Sequence, residues 1–113
     1  MPQRSRQRPA VREGDVFHAI ADPTRRHLLD LLADGDQPVN YLAERFSMSR
    51  PAVSQHLRIL RNSGLVTVRR KGREQRYRLR ARRLRMVHDW VADYQRFWNE
   101  KLRMLGEHLG RHP

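Results

Sequence analysis

Apolar residues along this chain follow two periods, and the place where one gives way to the other sets its organisation. Over the first half the spacing is helical. Val16, Phe17 and Ile20 predict a short helix over 15–21. Asp22-Pro23 opens a second, with a carboxylate cap followed by a proline at a position whose N–H has no helical partner. Leu28, Leu29, Leu31 and Leu32 give that helix its inner face, and Asp34-Gly35-Asp36 stops it. A third helix opens at Pro38 or Val39 with Leu42, Ala43 and Phe46 inward, and turns at Ser47-Met48-Ser49. In the fourth, capped by Ser49 with Pro51 in its first turn, Val53, Leu57 and Leu60 share one face. Arg50, Ser54, Gln55 and Arg58 then point the other way, and Asn62-Ser63-Gly64 ends the helix, Gly64 being able to take a left-handed cap.

After Gly64 the pattern becomes strand-like. Leu65 to Val68 are β-prone, 69–74 read as a turn, and 75–79 alternate polar and apolar, which predicts a β-hairpin. Tyr77 and Leu79 are expected inward, with Arg76, Arg78 and Arg80 facing water or phosphate. The helical period returns from about 82 to 109. There Leu84, Val87, Trp90, Val91, Tyr94, Phe97, Trp98, Leu102, Leu105 and Leu109 form a wide apolar stripe on a helix ~40 Å long. Residues 1–13, with Arg4, Arg6, Arg8 and Arg12, read as a flexible basic arm, either a solvated tail or a non-specific reach toward phosphates, leaving 14–113 as the folded domain. The fold class is mainly α with a small β-hairpin wing. Two helices joined by a tight turn, the second basic and polar outward, then a hairpin, make a winged helix-turn-helix whose 49–62 helix is built to enter a DNA major groove.

Charge sharpens this picture. The net charge is +12, from 24 Lys and Arg against 12 Asp and Glu, and only Lys71 and Lys101 are lysine. The arginine bias suits phosphates and guanine edges, although a GC-rich genome gives the same preference. From Arg69 to Arg85 ten residues are basic and one, Glu74, is acidic, an electrostatic footprint for a polyanion. With no cysteine, disulfides and thiolate metal sites are excluded. No apolar run is long enough to span a membrane, and the basic N-terminus lacks the apolar core of a secretory signal, so a cytoplasmic location is expected.

The segments ADPTRRHLLDLL (21–32), VNYLAERFSMSRPAVSQHLRILRNSGLV (39–66) and GREQRYRLR (72–80) resemble the ArsR-type winged helix-turn-helix transcriptional regulators, over about 15–109. The resemblance implies a dimeric repressor, itself autoregulated, on an inverted-repeat operator. With YQRFWNEKL (94–102) on its long end helix it looks like the branch lacking the thiolate metal site, and the third helix, NYLAERF, has no Cys-x-Cys. Some relatives bind metal through a carboxylate and histidines on the last helix. Here His88 and Asp89 are sequence neighbours pointing about 100° apart, and His108 and His112 lie at the C-terminal end. No metal site and no cofactor are therefore expected, and no inducer can be named.

The candidate DNA-binding residues are Ser49, Arg50, Ser54, Gln55, His56 and Arg58 on the reading helix and Arg69, Arg70, Lys71, Arg73 and Arg76 on the wing. Gln and Arg can bond adenine and guanine bidentately, Ser49 at the helix N-terminus can hold a phosphate, and His56 can touch a phosphate or pack. The wing should set affinity and salt dependence. The dimer surface is assigned to Phe17, Ile20, Val87, Trp90, Val91, Tyr94, Phe97, Trp98, Leu102 and Leu105, on terminal helices about 15–21 and 82–109. Two other readings stay open: a non-specific architectural DNA-binding protein, or a metal- or small-ligand-responsive repressor. An enzyme is not expected, because Ser54 and His56 lie on different faces of one helix and the acids are scattered.

Overall fold

In the computed structural model, which describes residues 13–111, the elements run α1 (Glu13–Ile20), α2 (Pro23–Leu32), β1 (Gln37–Pro38), α3 (Val39–Glu44), α4 (Arg50–Asn62), β2 (Val66–Lys71), β3 (Glu74–Leu79), a 3-10 turn (Ala81–Leu84) and α5 (Arg85–Arg111). This is the winged helix-turn-helix expected from the sequence. Most of the expected basic arm, together with His112, lies outside the described residues.

The core draws on the helices and the hairpin. Val16 and Ala19 from α1, Leu28 and Leu32 from α2, Leu42 from α3, Val53, Leu57 and Leu60 from α4, then Leu65 and Val66, are all buried. Removing a leucine from such a site costs about 2–5 kcal/mol, so these positions set the mutual angles of the helices. Asp22 caps α2, its carboxylate accepting the Arg25 N–H at 3.1 Å, with Pro23 at the first helical position. That bond, foremost, holds the Asp22 carboxyl below its ordinary range. The end of α4 is a Schellman motif. The Leu65 N–H donates to the Leu60 carbonyl at 3.1 Å and the Gly64 N–H to that of Arg61 at 3.0 Å. Gly64 has φ +82°, the left-handed conformation foreseen for it.

Several boundaries differ from expectation. α3 stops at Glu44, and the N–H groups of Arg45 and Phe46 donate three residues back, to Leu42 and Ala43. These tight bonds end the helix early, so the turn spans residues 45–49 and Phe46 packs outside the helix, its ring 4.9 Å from that of His27. The hairpin loop is also shorter than the turn read at 69–74. Strand pairing continues to Lys71↔Glu74, leaving only Gly72-Arg73 as the loop. Opposite charges face each other on that last rung, and Gly72 at φ +65° takes the first loop position without strain. The long helix begins at Arg85, the residues before it being held in the 3-10 turn. The two-residue strand β1 was not expected. It pairs with β3 (Gln37↔Tyr77), giving the order β1-β3-β2 and leaving β2 on an edge.

Candidate DNA interface

Helix α4 is anchored at its start by Ser49, whose hydroxyl accepts the Ala52 N–H at 3.2 Å. Val53, Leu57 and Leu60 fix its inner face. Arg50, Ser54, Gln55 and Arg58 are exposed, as the spacing predicts, and none has a side-chain hydrogen bond or ion pair among the described residues. Their donors and acceptors are presented on a helix that cannot rotate without opening the core.

His56 is different. Its side chain is half-buried, with Nδ1 3.1 Å from Nη1 of Arg25 and 3.9 Å from the Asp22 carboxylate. Since a guanidinium can only donate, Nδ1 is the acceptor in that contact. Of the two roles open to His56 in the sequence, its Nδ1 edge takes the packing one. Arg25, 7% exposed, also donates through Nε to the Ala19 carbonyl at 2.7 Å and through Nη2 to that of His18 at 3.1 Å. Arg26 bonds the Ile20 carbonyl at 2.9 Å. The two arginines of ADPTRR thus serve carbonyls ending α1, that of His18 also accepting the Ala21 N–H at 3.2 Å, and Arg25 ties that end to the reading helix. Sequence reasoning placed both on α2 without assigning them this role.

The wing runs back alongside α4, its tip close to the helix N-terminus. Arg50, Asn40, Arg70, Arg73 and Gln75 line an open groove of about 290 Å³ between them. On the other face of the hairpin, Arg69, Lys71, Arg76 and Arg78 surround Asp36. Arg78 grips this carboxylate with two nitrogens, at 3.1 Å each, and Arg76 donates to the Asp36 carbonyl at 3.3 Å and to Glu74 at 3.0 Å. The Arg78 hydrogen bond, first, and the charges of Arg78, Arg76 and Arg69 hold the Asp36 carboxyl below the usual carboxylate range. Arg76 and Arg78 therefore do not simply face water or phosphate; each already has an anionic or carbonyl partner. Asp36 was missed because in the sequence it is one of two acids around a turn glycine, 42 residues from Arg78.

The basic run of 69–85 is also not one patch. Its first part is at the wing tip, whereas Arg80, Arg82 and Arg83 lie at the hairpin root with Arg61. The six paired rungs of the hairpin, five steps or about 17 Å, separate the two ends.

Of the residues assigned to the dimer surface, Ile20 and Val87 already pack partly on the domain's own core. Phe17 meets Trp90 edge-on at 5.6 Å, joining α1 to α5, and Trp90 in turn meets Tyr94 at 5.3 Å. Trp90, Val91, Tyr94, Phe97, Trp98, Leu102 and Leu105 are exposed, as are Met104 and Leu109. At about half of 150–250 Å² for each large side chain, they present on the order of 800 Å² of apolar surface, well above the largest patch of an ordinary monomer. His88 and Asp89 do approach each other, contrary to the expected divergence. Nδ1 lies 3.3 Å from the carboxylate, because both exposed side chains can bend toward each other. No three His, Cys, Asp or Glu side chains gather to hold a metal among the described residues. None of the helices among them is long and apolar enough to cross a membrane.

Comparison with known proteins gives a consistent result. Residues 22–68 match the bacterial regulatory protein, arsR family. The chain is 40% identical over 80 residues to the transcriptional repressor SdpR of Bacillus subtilis, covering 71% of this chain and 89% of that one. Among solved structures, a possible transcriptional regulator for arsenical resistance superposes with TM-score 0.65 at 44% identity, over 82% of this chain and 95% of that one. The homodimeric winged helix-turn-helix DNA-binding domain of Mb0332 from Mycobacterium bovis gives 0.60 at 35% identity, over 73% and 79%. With this fold and these relatives, the chain belongs to the ArsR family of winged helix-turn-helix transcriptional regulators.

Proposed function

We propose that this protein represses transcription as a two-fold dimer bound to an inverted-repeat operator, including one at its own promoter. The single observation that carries the reading is the exposed set Arg50, Ser54, Gln55 and Arg58, free of other bonds on a helix whose opposite face is core. Gln55 and Arg50 or Arg58 discriminate bases in the major groove, each bidentate contact contributing about 1–3 kcal/mol. Ser49 and the helix N-terminus hold a phosphate. Arg69, Arg70, Lys71 and Arg73 contact the backbone beside the adjacent minor groove, with Arg76 held partly in reserve by Glu74 and Asp36. His56 positions the helix through Arg25.

The dimer is supported by the apolar face of α5, whose area is about what one partner contributes to a standard interface, and by the homodimeric relative. Blocking polymerase at a promoter, as a repressor does, requires no catalysis and places the protein with the chromosome in the cytoplasm. A backbone-coating architectural role is disfavoured by the rigid polar reading face, which such binding does not need. The test is a footprint on the gene's own upstream DNA, with a salt titration beside a scrambled duplex. A protected inverted repeat with half-sites about 34–36 Å apart, surviving salt that strips the scrambled DNA, is expected. Equal binding to both duplexes, lost together as salt rises, would refute sequence-specific repression.

A further inference from the structure

The hairpin root holds a second cluster of basic residues, apart from the wing tip. Arg61 from the last turn of α4, Arg80 after β3, and Arg82 and Arg83 of the 3-10 turn converge on a cleft of about 630 Å³, floored by Gly64, Val66, Thr67 and Val68. Among the described residues none that lines it is acidic. Arg61, Arg80 and Arg82 are exposed and have no side-chain hydrogen bond or ion pair among the described residues. Arg76 and Arg78 of the wing, by contrast, are occupied by Glu74 and Asp36. The cleft also runs along β2, the edge strand, whose outward N–H groups have no strand partner among the described residues. The like charges of Arg61, Arg80 and Arg82 repel one another, and an anion entering the cleft relieves that repulsion while the arginine forks grip its oxygens.

The cleft lies away from the wing tip, although Arg61 is only one helical turn beyond Arg58 of the reading face. β2 returns from the end of α4 toward its start, so the root is at the opposite end of the reading helix from Arg50 and the wing tip. Meanwhile the cleft is bounded by the segment that leads into α5: the Arg80 N–H bonds the Leu65 carbonyl at 2.7 Å, and the Arg83 side chain lies against Gly64. A ligand here bridges the end of the reading helix and the start of the dimer helix.

We infer that this cleft is a binding site for a phosphoryl-bearing anion, separate from the operator interface. Arg61, Arg80 and Arg82 supply bidentate donors, and Arg83 closes the side toward Gly64. Two sources offer this chemistry: a small polyphosphorylated metabolite, or the phosphodiester backbone of a second duplex. The inference builds on the proposed function only in needing the operator as a control.

The experiment uses the full-length protein, R61Q/R80Q/R82Q, and the charge-keeping R61K/R80K/R82K. Inorganic tripolyphosphate is titrated by calorimetry and thermal melting, operator affinity is measured on a short duplex, and bridging of two duplexes by sedimentation. If the source is a small metabolite, tripolyphosphate binds the wild type and raises its melting temperature. The glutamine variant then loses at least about tenfold in affinity, the equivalent of one charge-assisted bond, and the lysine variant keeps most of it. If the source is a second duplex, bridging is lost in the glutamine variant while the first duplex binds normally. Unchanged tripolyphosphate binding and bridging in a folded glutamine variant overturns the inference. So does a parallel loss of short-operator affinity, which would assign these arginines to the operator. If the wild type binds tripolyphosphate but no operator, the function proposed above fails and the cleft stands.

Discussion

Arg25→Ala is the most informative single substitution in this domain. Arg25 is 7% exposed and its guanidinium makes three contacts, to the carbonyls of Ala19 and His18 and to Nδ1 of His56. Hydrogen bonds from a charged donor contribute about 1.5–3 kcal/mol each, but His18 and His56 lie near water and recover part of their loss by solvation. A destabilisation of about 3–4 kcal/mol is expected, a large fraction of the 5–15 kcal/mol typical of a domain. Arg25→Lys keeps the charge but only one bond at a time, so about 2 kcal/mol is expected. The assay is urea denaturation at one fixed protein concentration, since dimerisation couples stability to concentration. A cycle with His56→Ala should give a coupling of 0.5–3 kcal/mol, the range for contacting residues. The two single changes should also lower operator affinity more than that for scrambled DNA, because they disturb the helix and not the wing. A loss below about 1 kcal/mol for Arg25→Ala, or no coupling to His56, would refute the view that this arginine ties α1 to the reading helix.

Other expectations can be checked as directly. Gln55→Ala should relax base choice, by about 1–3 kcal/mol at one operator position, whereas Arg73→Ala should weaken all duplexes alike and lower the salt slope by about 1; equal proportional losses in both variants would refute that division. Asp36→Asn should free Arg78, tightening binding to scrambled DNA and steepening its salt slope by about 1, and unchanged binding would mean that the carboxylate does not compete with phosphate. Because the folded-state carboxyl of Asp36 lies below its ordinary value, its ion pair adds stability above about pH 3.9 that is lost as pH falls through the lowered value; acid titration of Asp36→Asn should lack that component. Gly64→Ala should cost about 1–2 kcal/mol by thermal melting, from the left-handed backbone and from the Arg83 side chain 3.3 Å from the added carbon.

Where side-chain period and local caps decide structure, the sequence could be read directly. Asp22, Ser49 and Gly64 do in three dimensions what their positions announce, and the outward set Arg50, Ser54, Gln55 and Arg58 follows from the helical repeat alone. Contacts between distant segments were not readable. Nothing local marks Asp36 as the partner of Arg78, or Arg25 as the partner of His56, 31 residues on. The 69–85 charge run misled for a related reason: continuity along a chain that reverses at Gly72 is not continuity on a surface. Residues 69–71 and Glu74, read as part of a longer turn, are strand, because cross-strand pairing of Lys71 with Glu74 outweighs the turn tendency of a charged, glycine-bearing stretch.

The apolar stripe of α5 also governs how the protein behaves at low copy number. Val87, Val91, Tyr94, Trp98, Leu102, Leu105 and Leu109 recur at an 11-residue repeat, which keeps the stripe nearly straight along the helix. A lone chain exposes most of it to water, a face suited to chaperones, proteases and other copies of itself. If the dimer is the form that occupies an operator, occupancy rises with the square of chain concentration while the protein is scarce. Halving gene dosage then cuts operator occupancy by more than half, and a newly made regulator acts only once enough chains have accumulated to cover one another.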